Sequence, residues 1–307
     1  MDEILRLFPK QIRDNMEKQI AKRWGSLQEI RFRLHQPIEL IFDYDIEWMN
    51  HPIPTAEDSV FVVNQLSEFS LYRLSDELRE GFITIEGGHR VGIAGKVNTV
   101  NGAVKAIQHI TFFNIRIAKQ RIGVSQHIIP YLYENGYKNS LFIGAPQTGK
   151  TTYIRDLVRI ISTGWENVSP KKVGVIDERS EIGASIKGIP QHDLGPRTDV
   201  LDACPKAEGM MMMIRSMSPE ILVVDEIGSK EDVEALLEAI NAGVHVVCTI
   251  HGNSITELKK RPSIRPLFKQ QVFERFILID QKQVGKVNTI YDETMQNLLR
   301  KKRYVVR

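Results

Sequence analysis

Cysteine is scarce in this 307-residue sequence, and its apolar residues form no long run. The two cysteines, Cys204 and Cys248, lie far apart, so neither a Cys-x-x-Cys metal motif nor a disulfide framework is indicated, and we expect a reducing compartment. The first residues include early acidic side chains and no apolar segment of signal-peptide length. No window approaches the roughly 18 apolar residues that a membrane-spanning helix needs, so we expect neither secretion nor membrane insertion.

A strong charge of either sign is also missing. The chain has 41 Lys and Arg residues against 38 Asp and Glu residues, a formal net charge of +3 at pH 7. This charge is too small to indicate nucleic acid or an anionic membrane as the main partner. A hydrophobic content of 42% and a charged content of 26% are ordinary for a folded protein, and the length favours two domains.

The pattern of predicted strands and helices changes near residue 119. Before it, helices and strands are mixed, and strict alternation at residues 29–34 predicts a strand with Arg31 and Arg33 on one face. After it, strands alternate with helices, which is typical of a mostly parallel sheet covered by helices. We therefore predict a smaller N-terminal α+β domain, residues 1-118, and a C-terminal α/β domain, residues 119-307.

Residues 144–152 read Gly-Ala-Pro-Gln-Thr-Gly-Lys-Thr-Thr and match the P-loop pattern GxxxxGK(S/T) in full. An apolar run precedes them and a helical apolar stripe follows, which is the strand–loop–helix that the motif requires. Backbone N–H groups then face the phosphates of ATP, Lys150 reaches the β and γ phosphates, and the Thr151 hydroxyl ligates Mg²⁺. The residues predicted to bind the nucleotide are Gly144, Ala145, Pro146, Gln147, Thr148, Gly149, Lys150, Thr151 and Thr152.

An acidic pair follows a second apolar run, residues 221–224. A buried strand presents the residues at its C-terminal end to the edge where open α/β sheets bind ligands. There we predict that Asp225 holds Mg²⁺ through water and that Glu226 orients and deprotonates the attacking water. Because the sequence contains no Asn-Lys-x-Asp guanine-reading motif, hydrolysis of ATP is predicted rather than hydrolysis of GTP.

Two more predicted strands end in polar side chains. The run at residues 173–176 is followed by Asp177 and Glu178, and another run ends in Thr249 and leads to His251. Alone, such residues are more often solvated loop residues or hydrogen-bonded histidines. The four predicted strand ends should meet at one edge of the sheet, however, so Thr249 and His251 are both candidates for a sensor of the γ-phosphate.

The order of these motifs resembles that of the ATPases that drive type II and type IV secretion. Arg215 precedes the acidic strand in a segment close to Arg-x-x-x-Pro-Glu, while Gly-Val-His at residues 243–245 and Thr-Ile-His at residues 249–251 follow that strand. The resemblance extends from about residue 119 to a predicted strand at residues 276–279. It implies a RecA-like P-loop ATPase domain with Walker A and Walker B motifs.

The N-terminal half narrows the resemblance. Glu-Ile-Arg-Phe-Arg at residues 29–33, Gly-Gly-His-Arg-Val-Gly at residues 87–92 and Asn-Ile-Arg-Ile-Ala at residues 114–118 resemble the stage III sporulation protein AA family of endospore-forming bacteria, over nearly the full length. This implies a cytoplasmic, hexameric ATPase that is peripheral to the outer forespore membrane, on its mother cell side. It also implies ATP and Mg²⁺ as cofactors and, as partners, the membrane proteins of a channel that joins mother cell and forespore.

The chain departs from the secretion ATPases at three points. Their acidic strand often ends in Gly-Glu where this chain has Asp225 and Glu226. Their acidic box usually reads Glu-Asp-Pro, whereas residues 176–179 of this chain read Ile-Asp-Glu-Arg. The four-cysteine zinc module of many type II enzymes is absent here. The general base therefore stays open between Glu226 and Glu178, with Glu226 preferred for its position at the strand end. The resemblance also implies an arginine, from the N-terminal domain or a neighbouring subunit, that reaches the γ-phosphate and stabilises charge there. The candidates for it are Arg90, Arg116, Arg197 and Arg215.

Two other classes of function remain open. A nucleic-acid-dependent ATPase is suggested by Arg31 and Arg33 on one strand face and by the basic residues 300–303, although charged stretches of this kind are usually solvated surface. A nucleotide-sensing scaffold would bind ATP and scarcely hydrolyse it, but no predicted site residue indicates an inactive enzyme. We prefer an oligomeric ATPase in which hydrolysis moves one domain against the other, and nucleic acid is not the first choice of partner.

Overall fold

The computed structural model describes residues 1–67, 81–100, 103–281 and 283–301. The basic segment at residues 300–303 therefore lies partly outside the described residues. The chain divides into two compact units, Met1–Lys119 and Gln120–Arg307. We propose that these units are the two domains that the sequence predicts.

An antiparallel sheet of six strands forms the centre of Met1–Lys119. In chain order the elements are α1 (Asp2–Leu5), α2 (Lys10–Ile20), β1 (Leu27–Arg33), β2 (Ile38–Phe42), β3 (Ile46–Met49), α3 (Ala56–Leu66), β4 (Phe82–Ile85), β5 (His89–Val100) and β6 (Ala103–Arg116). The strands lie in the order β3-β2-β1-β6-β5-β4. Between β4 and β5, Gly87 and Gly88 have φ angles of 82° and 77°, which glycine adopts at little cost, so the chain turns there into a hairpin.

Side chains of β1 alternate between the core and the opposite face of the sheet. Ile30 and Phe32 are fully buried together with apolar residues of the three helices. On the opposite face, Arg31 lies 3.2 Å from a carboxylate oxygen of Glu29, and Arg33 lies 2.8 Å from one of Glu39. The predicted strand is confirmed, and its arginines form ion pairs with carboxylates of the same sheet.

We expect Phe32→Ala to lower the free energy of unfolding of this unit by about 3–5 kcal/mol, because it leaves a cavity in a close-packed core. The ring of Phe32 is fully buried and lies 5.7 Å from the ring of Phe8 and 5.6 Å from that of Phe113. Denaturant titration followed by fluorescence and circular dichroism measures the change. Phe112, 50% exposed on β6, is the matched control. Equal losses from Phe32→Ala and Phe112→Ala would contradict the assigned core.

A sheet of seven strands forms the centre of Gln120–Arg307. In chain order the elements are β7 (Ser140–Gly144), α4 (Lys150–Thr163), β8 (Val173–Asp177), β9 (Thr198–Asp202), α5 (Lys206–Met217), β10 (Ile221–Val224), α6 (Lys230–Asn241), β11 (His245–His251), α7 (Ile255–Leu258), α8 (Arg265–Lys269), β12 (Arg275–Ile279), β13 (Val287–Asp292) and α9 (Leu298–Lys301). The strands lie in the order β13-β12-β7-β11-β10-β8-β9, and only the pairing of β12 with β13 is antiparallel. The predicted α/β class and mostly parallel sheet are therefore confirmed.

Helices cover both faces of this sheet because its central strands are apolar on both sides. On one face, α4 packs Leu157 and Ile161 against Phe142 of β7 and its neighbours. On the other face, α5 and α6 pack against residues such as Leu222 and Val246. Because β7, β8, β10 and β11 are parallel, their carboxyl ends share one edge of the sheet, which we call the C-terminal edge. Among the helices of the described residues, none has both the length and the apolar composition to cross a bilayer.

Candidate active site

The P-loop connects β7 to α4 at the C-terminal edge of the sheet. Its backbone turns through Gln147, with a φ of 61°, and Gly149, with a φ of 99° that favours glycine. Gly149 is the N-cap residue of α4, and because it has no side chain, it forms no capping hydrogen bond with the first helical turn. The N–H groups of the first helical turn are therefore available to an anion, which the helix dipole also favours. Of the other predicted members, Gly144 ends β7, whereas the rest lie in the loop or in the first turn of α4: Ala145, Pro146, Thr148, Thr151 and Thr152.

Lys150 is folded back over the P-loop. Its ammonium donates to the carbonyl oxygens of Gly144, at 3.1 Å, and Ala145, at 2.8 Å, and it lies 3.1 Å from Nδ1 of His251. The residue is only 4% exposed, and burial lowers the pKa of Lys150, while the nearby carboxylates of Asp225 and Glu226 act in the opposite direction. The structure thus brings Lys150 and His251 together at the C-terminal edge of the sheet.

Asp225 receives hydrogen bonds from two threonine hydroxyls. The hydroxyl of Thr151, on α4, donates to Oδ2 at 2.8 Å, and the hydroxyl of Thr249, on β11, donates to Oδ1. The same Thr249 oxygen accepts the backbone N–H of Glu226 at 2.8 Å. Thr249 therefore fixes the strand end that carries the acidic pair.

Thr151 and Asp225 form an oxygen-only donor set that fits Mg²⁺. Magnesium prefers hard oxygen ligands and keeps several waters, so one or two protein oxygens suffice when phosphates complete the shell. Within the described residues, no group of three or more His, Cys, Asp or Glu side chains is arranged to hold a metal. The site thus fits an ion carried in with the nucleotide better than a protein-only metal cage.

Both carboxylate oxygens of Glu226 are engaged. Oε1 lies 2.6 Å from Nε2 of His251, and Oε2 lies 2.8 Å from Nη1 of Arg179. Because Lys150 has only donors, Nδ1 of His251 accepts from it, and Nε2 then carries the hydrogen that is donated to Glu226. The backbone of Glu226 has a φ of 53°, an uncommon value for a residue with a side chain. The geometry holds this glutamate in one orientation beside the P-loop lysine.

The loop after β8 is fixed to the helix that follows the P-loop. Asp177 is 2% exposed and accepts the backbone N–H groups of Glu181, Ile182 and Gly183 at 2.8, 3.0 and 2.8 Å. Burial raises the pKa of Asp177, and these hydrogen bonds oppose that rise. Arg155 of α4 donates to the carbonyl oxygens of Glu181 and Ile182 at 2.5 and 2.8 Å.

Glu178, the second candidate base, forms an ion pair with Lys206.

Two of the four predicted arginines, Arg197 and Arg215, lie in the unit that contains the P-loop. Arg215 lies in the last turn of α5, which returns the chain to the start of β10, and Arg197 immediately precedes β9. Both therefore lie at the edge opposite the P-loop of their own chain. A contribution of Arg215 to the site of a neighbouring subunit stays a prediction. Arg90 and Arg116 belong to the other unit, Met1–Lys119.

Sequence reasoning missed Arg179 and Arg155. Arg179 directly follows Asp177 and Glu178 at a predicted strand end, and this position was a usable signal. Arg155 gave no signal, because a helical arginine is usually solvated and its carbonyl partners come from a loop that sequence alone cannot place.

The fold is similar to that of RecA-like secretion ATPases, as two solved structures show. The X-ray structure of the Legionella pneumophila ATPase DotB aligns with a TM-score of 0.58 at 14% identity, covering 88% of this chain and 77% of that chain. The crystal structure of the pilus retraction motor PilT with bound ADP aligns with a TM-score of 0.60 at 16% identity, covering 86% and 77%.

The family is then given by sequence. The family model described as "Sporulation stage III, protein AA" matches residues 1–298. The Stage III sporulation protein AA of Bacillus subtilis (strain 168) is 49% identical over 294 residues, which cover 95% of each chain. The chain belongs to the family "Sporulation stage III, protein AA", and the resemblance inferred from its motifs is confirmed.

Proposed function

We propose that this chain is an ATP hydrolase that works as a homo-oligomer, a hexamer, and couples hydrolysis to conformational work. The observation that carries the proposal is the meeting of Lys150, Asp225, Glu226 and His251 around one P-loop. These groups come from neighbouring strand ends of a parallel sheet, where P-loop ATPases bind phosphates and carry out their chemistry.

The proposed reaction uses the described side chains in distinct roles. The oxygen of a water attacks the γ-phosphorus, the bond to the β,γ-bridging oxygen breaks, and its electron pair leaves with ADP. The carboxylate of Glu226 accepts the proton that the water loses. Lys150 exchanges its contacts with the loop carbonyls for contacts with β and γ oxygens. Thr151 and Asp225 would hold Mg²⁺, which supplies further positive charge to the phosphates.

The proposed setting is the mother cell cytoplasm, at the outer forespore membrane, with the ATPase peripheral to that membrane. Its proposed partners are the membrane proteins of a sporulation channel. Family membership supports a role in sporulation. The fold shared with a pilus retraction motor supports work driven by nucleotide turnover. These proposals concern position and partners, and they do not alter the chemistry proposed for the site.

Nucleic acid is a weaker candidate partner. The two arginines that suggested it, Arg31 and Arg33, form ion pairs with Glu29 and Glu39 on their own sheet. A surface that tracks phosphates needs positive charge in excess of such pairing. We therefore keep the ATPase proposal without a nucleic-acid activator.

Removal of Mg²⁺ tests the proposed chemistry. We expect steady-state phosphate release from ATP to fall to background when EDTA exceeds Mg²⁺, because Thr151 and Asp225 cannot by themselves neutralise the phosphate charge. Restoring Mg²⁺ should restore turnover, and circular dichroism should show an unchanged fold throughout. Equal rates with and without chelator would contradict a Mg²⁺-dependent ATPase.

A further inference from the structure

Arg179 is an arginine of the candidate site that neither the P-loop pattern nor the acidic pair predicts. It lies two residues after Asp177, and its guanidinium is 2.8 Å from Oε2 of Glu226. Its side chain is 64% exposed, whereas that of Glu226 is 20% exposed. The ion pair therefore joins a solvated, extended cation to a more enclosed carboxylate.

The contacts of Glu226 oppose its role as a base. A carboxylate that takes a proton from water needs an oxygen that faces that water. Here His251 donates to one oxygen and Arg179 contacts the other. Each carboxylate oxygen has two lone pairs, so both contacts leave room for water, and movement of either partner would give that water an oxygen of Glu226 with no competing donor.

Arg179 is the partner that moves at the lower cost. His251 is held on its other ring nitrogen by Lys150, and its carbonyl oxygen accepts from Arg261 at 2.6 Å. The guanidinium of Arg179, by contrast, is largely in solvent, and an ion pair with an exposed partner exchanges more readily than a buried one. A terminal phosphate offers Arg179 more negative charge and two oxygens for a bidentate contact with the planar guanidinium.

The terminal phosphate would also lie close to Arg179. His251 bridges Lys150 and Glu226, with contacts of 3.1 Å and 2.6 Å, so a phosphate bound by Lys150 lies about one side chain from Glu226 and its arginine. The base of the loop stays fixed meanwhile, because Asp177 and Arg155 hold residues 181–183. Only the side chain of Arg179 needs to move.

We propose that Arg179 senses the terminal phosphate of the bound nucleotide: it pairs with Glu226 when that phosphate is absent and transfers to the phosphate when ATP binds, which releases Glu226. This inference rests on the proposed ATP hydrolysis. It gives the site a way to distinguish ATP from ADP, since ADP leaves the Arg179–Glu226 pair in place. It also adds an arginine from the same unit as the P-loop to the four that sequence predicts.

The test compares nucleotide affinities of the full chain by titration calorimetry, with ADP and with a non-hydrolysable ATP analogue. Arg179→Ala should weaken binding of the analogue about tenfold to hundredfold, the loss of a charge-assisted contact. Affinity for ADP should change by less than about fivefold, because ADP brings no terminal phosphate to Arg179. Arg179→Lys should recover part of the analogue binding, since it keeps the charge and loses the fork.

Arg6→Ala is the matched control, because Arg6 forms an exposed ion pair with Glu86 at 3.0 Å in Met1–Lys119. It should leave both affinities unchanged. If Arg179→Ala changes ADP and analogue affinity by the same factor, or changes neither, while the wild type binds and hydrolyses ATP, the sensor role is overturned and the ATPase proposal stands. If the wild type binds neither nucleotide, both are overturned.

Discussion

Lys150→Ala should abolish ATP hydrolysis while the protein stays folded. The ammonium of Lys150 is the cation nearest to the P-loop carbonyls, and it lies within 3.1 Å of His251. Removing a preorganised charge from a developing anionic centre typically costs about 10²–10³ in turnover, and here the same cation also contributes to nucleotide binding. We therefore expect phosphate release to fall to the level of a protein-free control.

The control for this variant is a lysine outside the site. Lys171 lies just before β8, at the opposite edge of the sheet, and pairs with Glu220 at 2.8 Å. Lys171→Ala should keep wild-type turnover, and the thermal unfolding of both variants should show whether the fold survives. Unchanged turnover in a folded Lys150→Ala protein would remove the P-loop from the account.

Glu226→Gln should lower kcat by about 10²–10⁴-fold, the usual contribution of a general base, with ATP binding retained. The amide has nearly the shape of the carboxylate and still accepts from Nε2 of His251, but it takes no proton from water. Single-turnover measurements with excess protein separate this chemical step from nucleotide binding and product release.

Glu178→Gln decides between the two candidate bases. Glu178 forms an ion pair with Lys206. The kcat of Glu178→Gln should therefore fall by less than about tenfold, whereas loss of the general base lowers kcat by about 10²–10⁴-fold. A larger loss in Glu178→Gln than in Glu226→Gln would reverse the assignment. It would also require a different arrangement of the loop after β8 in the nucleotide-bound state.

The strands that sequence predicts best are the central ones. Residues 221–224 lie between two neighbouring strands and are buried along their whole length. A strand buried on both faces has apolar residues at every position, which makes it easy to recognise in the sequence. The edge strand β9, Thr-Asp-Val-Leu-Asp, is only partly buried along its whole length and has no such run. The strand at the opposite edge, β13, has both buried and exposed residues, and the sequence analysis does not predict it either. Periodicity detects burial, and edge strands are too exposed to show it.

The candidate site, likewise, can be predicted from the sequence only in part. The P-loop and the pair Asp225 and Glu226 follow from local patterns, since one strand end and one loop carry them. Arg179 and Arg155 act through partners distant in sequence, whose approach depends on how the sheet is ordered. Arg215 belongs to a segment close to Arg-x-x-x-Pro-Glu, and because its helix returns to the start of β10, it lies at the edge opposite the P-loop of its own chain.

The central claim is that this chain hydrolyses ATP at the P-loop site in an oligomer. The most direct test is steady-state phosphate release per subunit over about a hundredfold range of protein concentration, comparing the wild type with Glu226→Gln. We predict release by the wild type that rises per subunit as concentration rises, because assembly completes the working enzyme, and a flat baseline for the variant. Absence of release at every concentration, or equal release by the two proteins, would contradict the account.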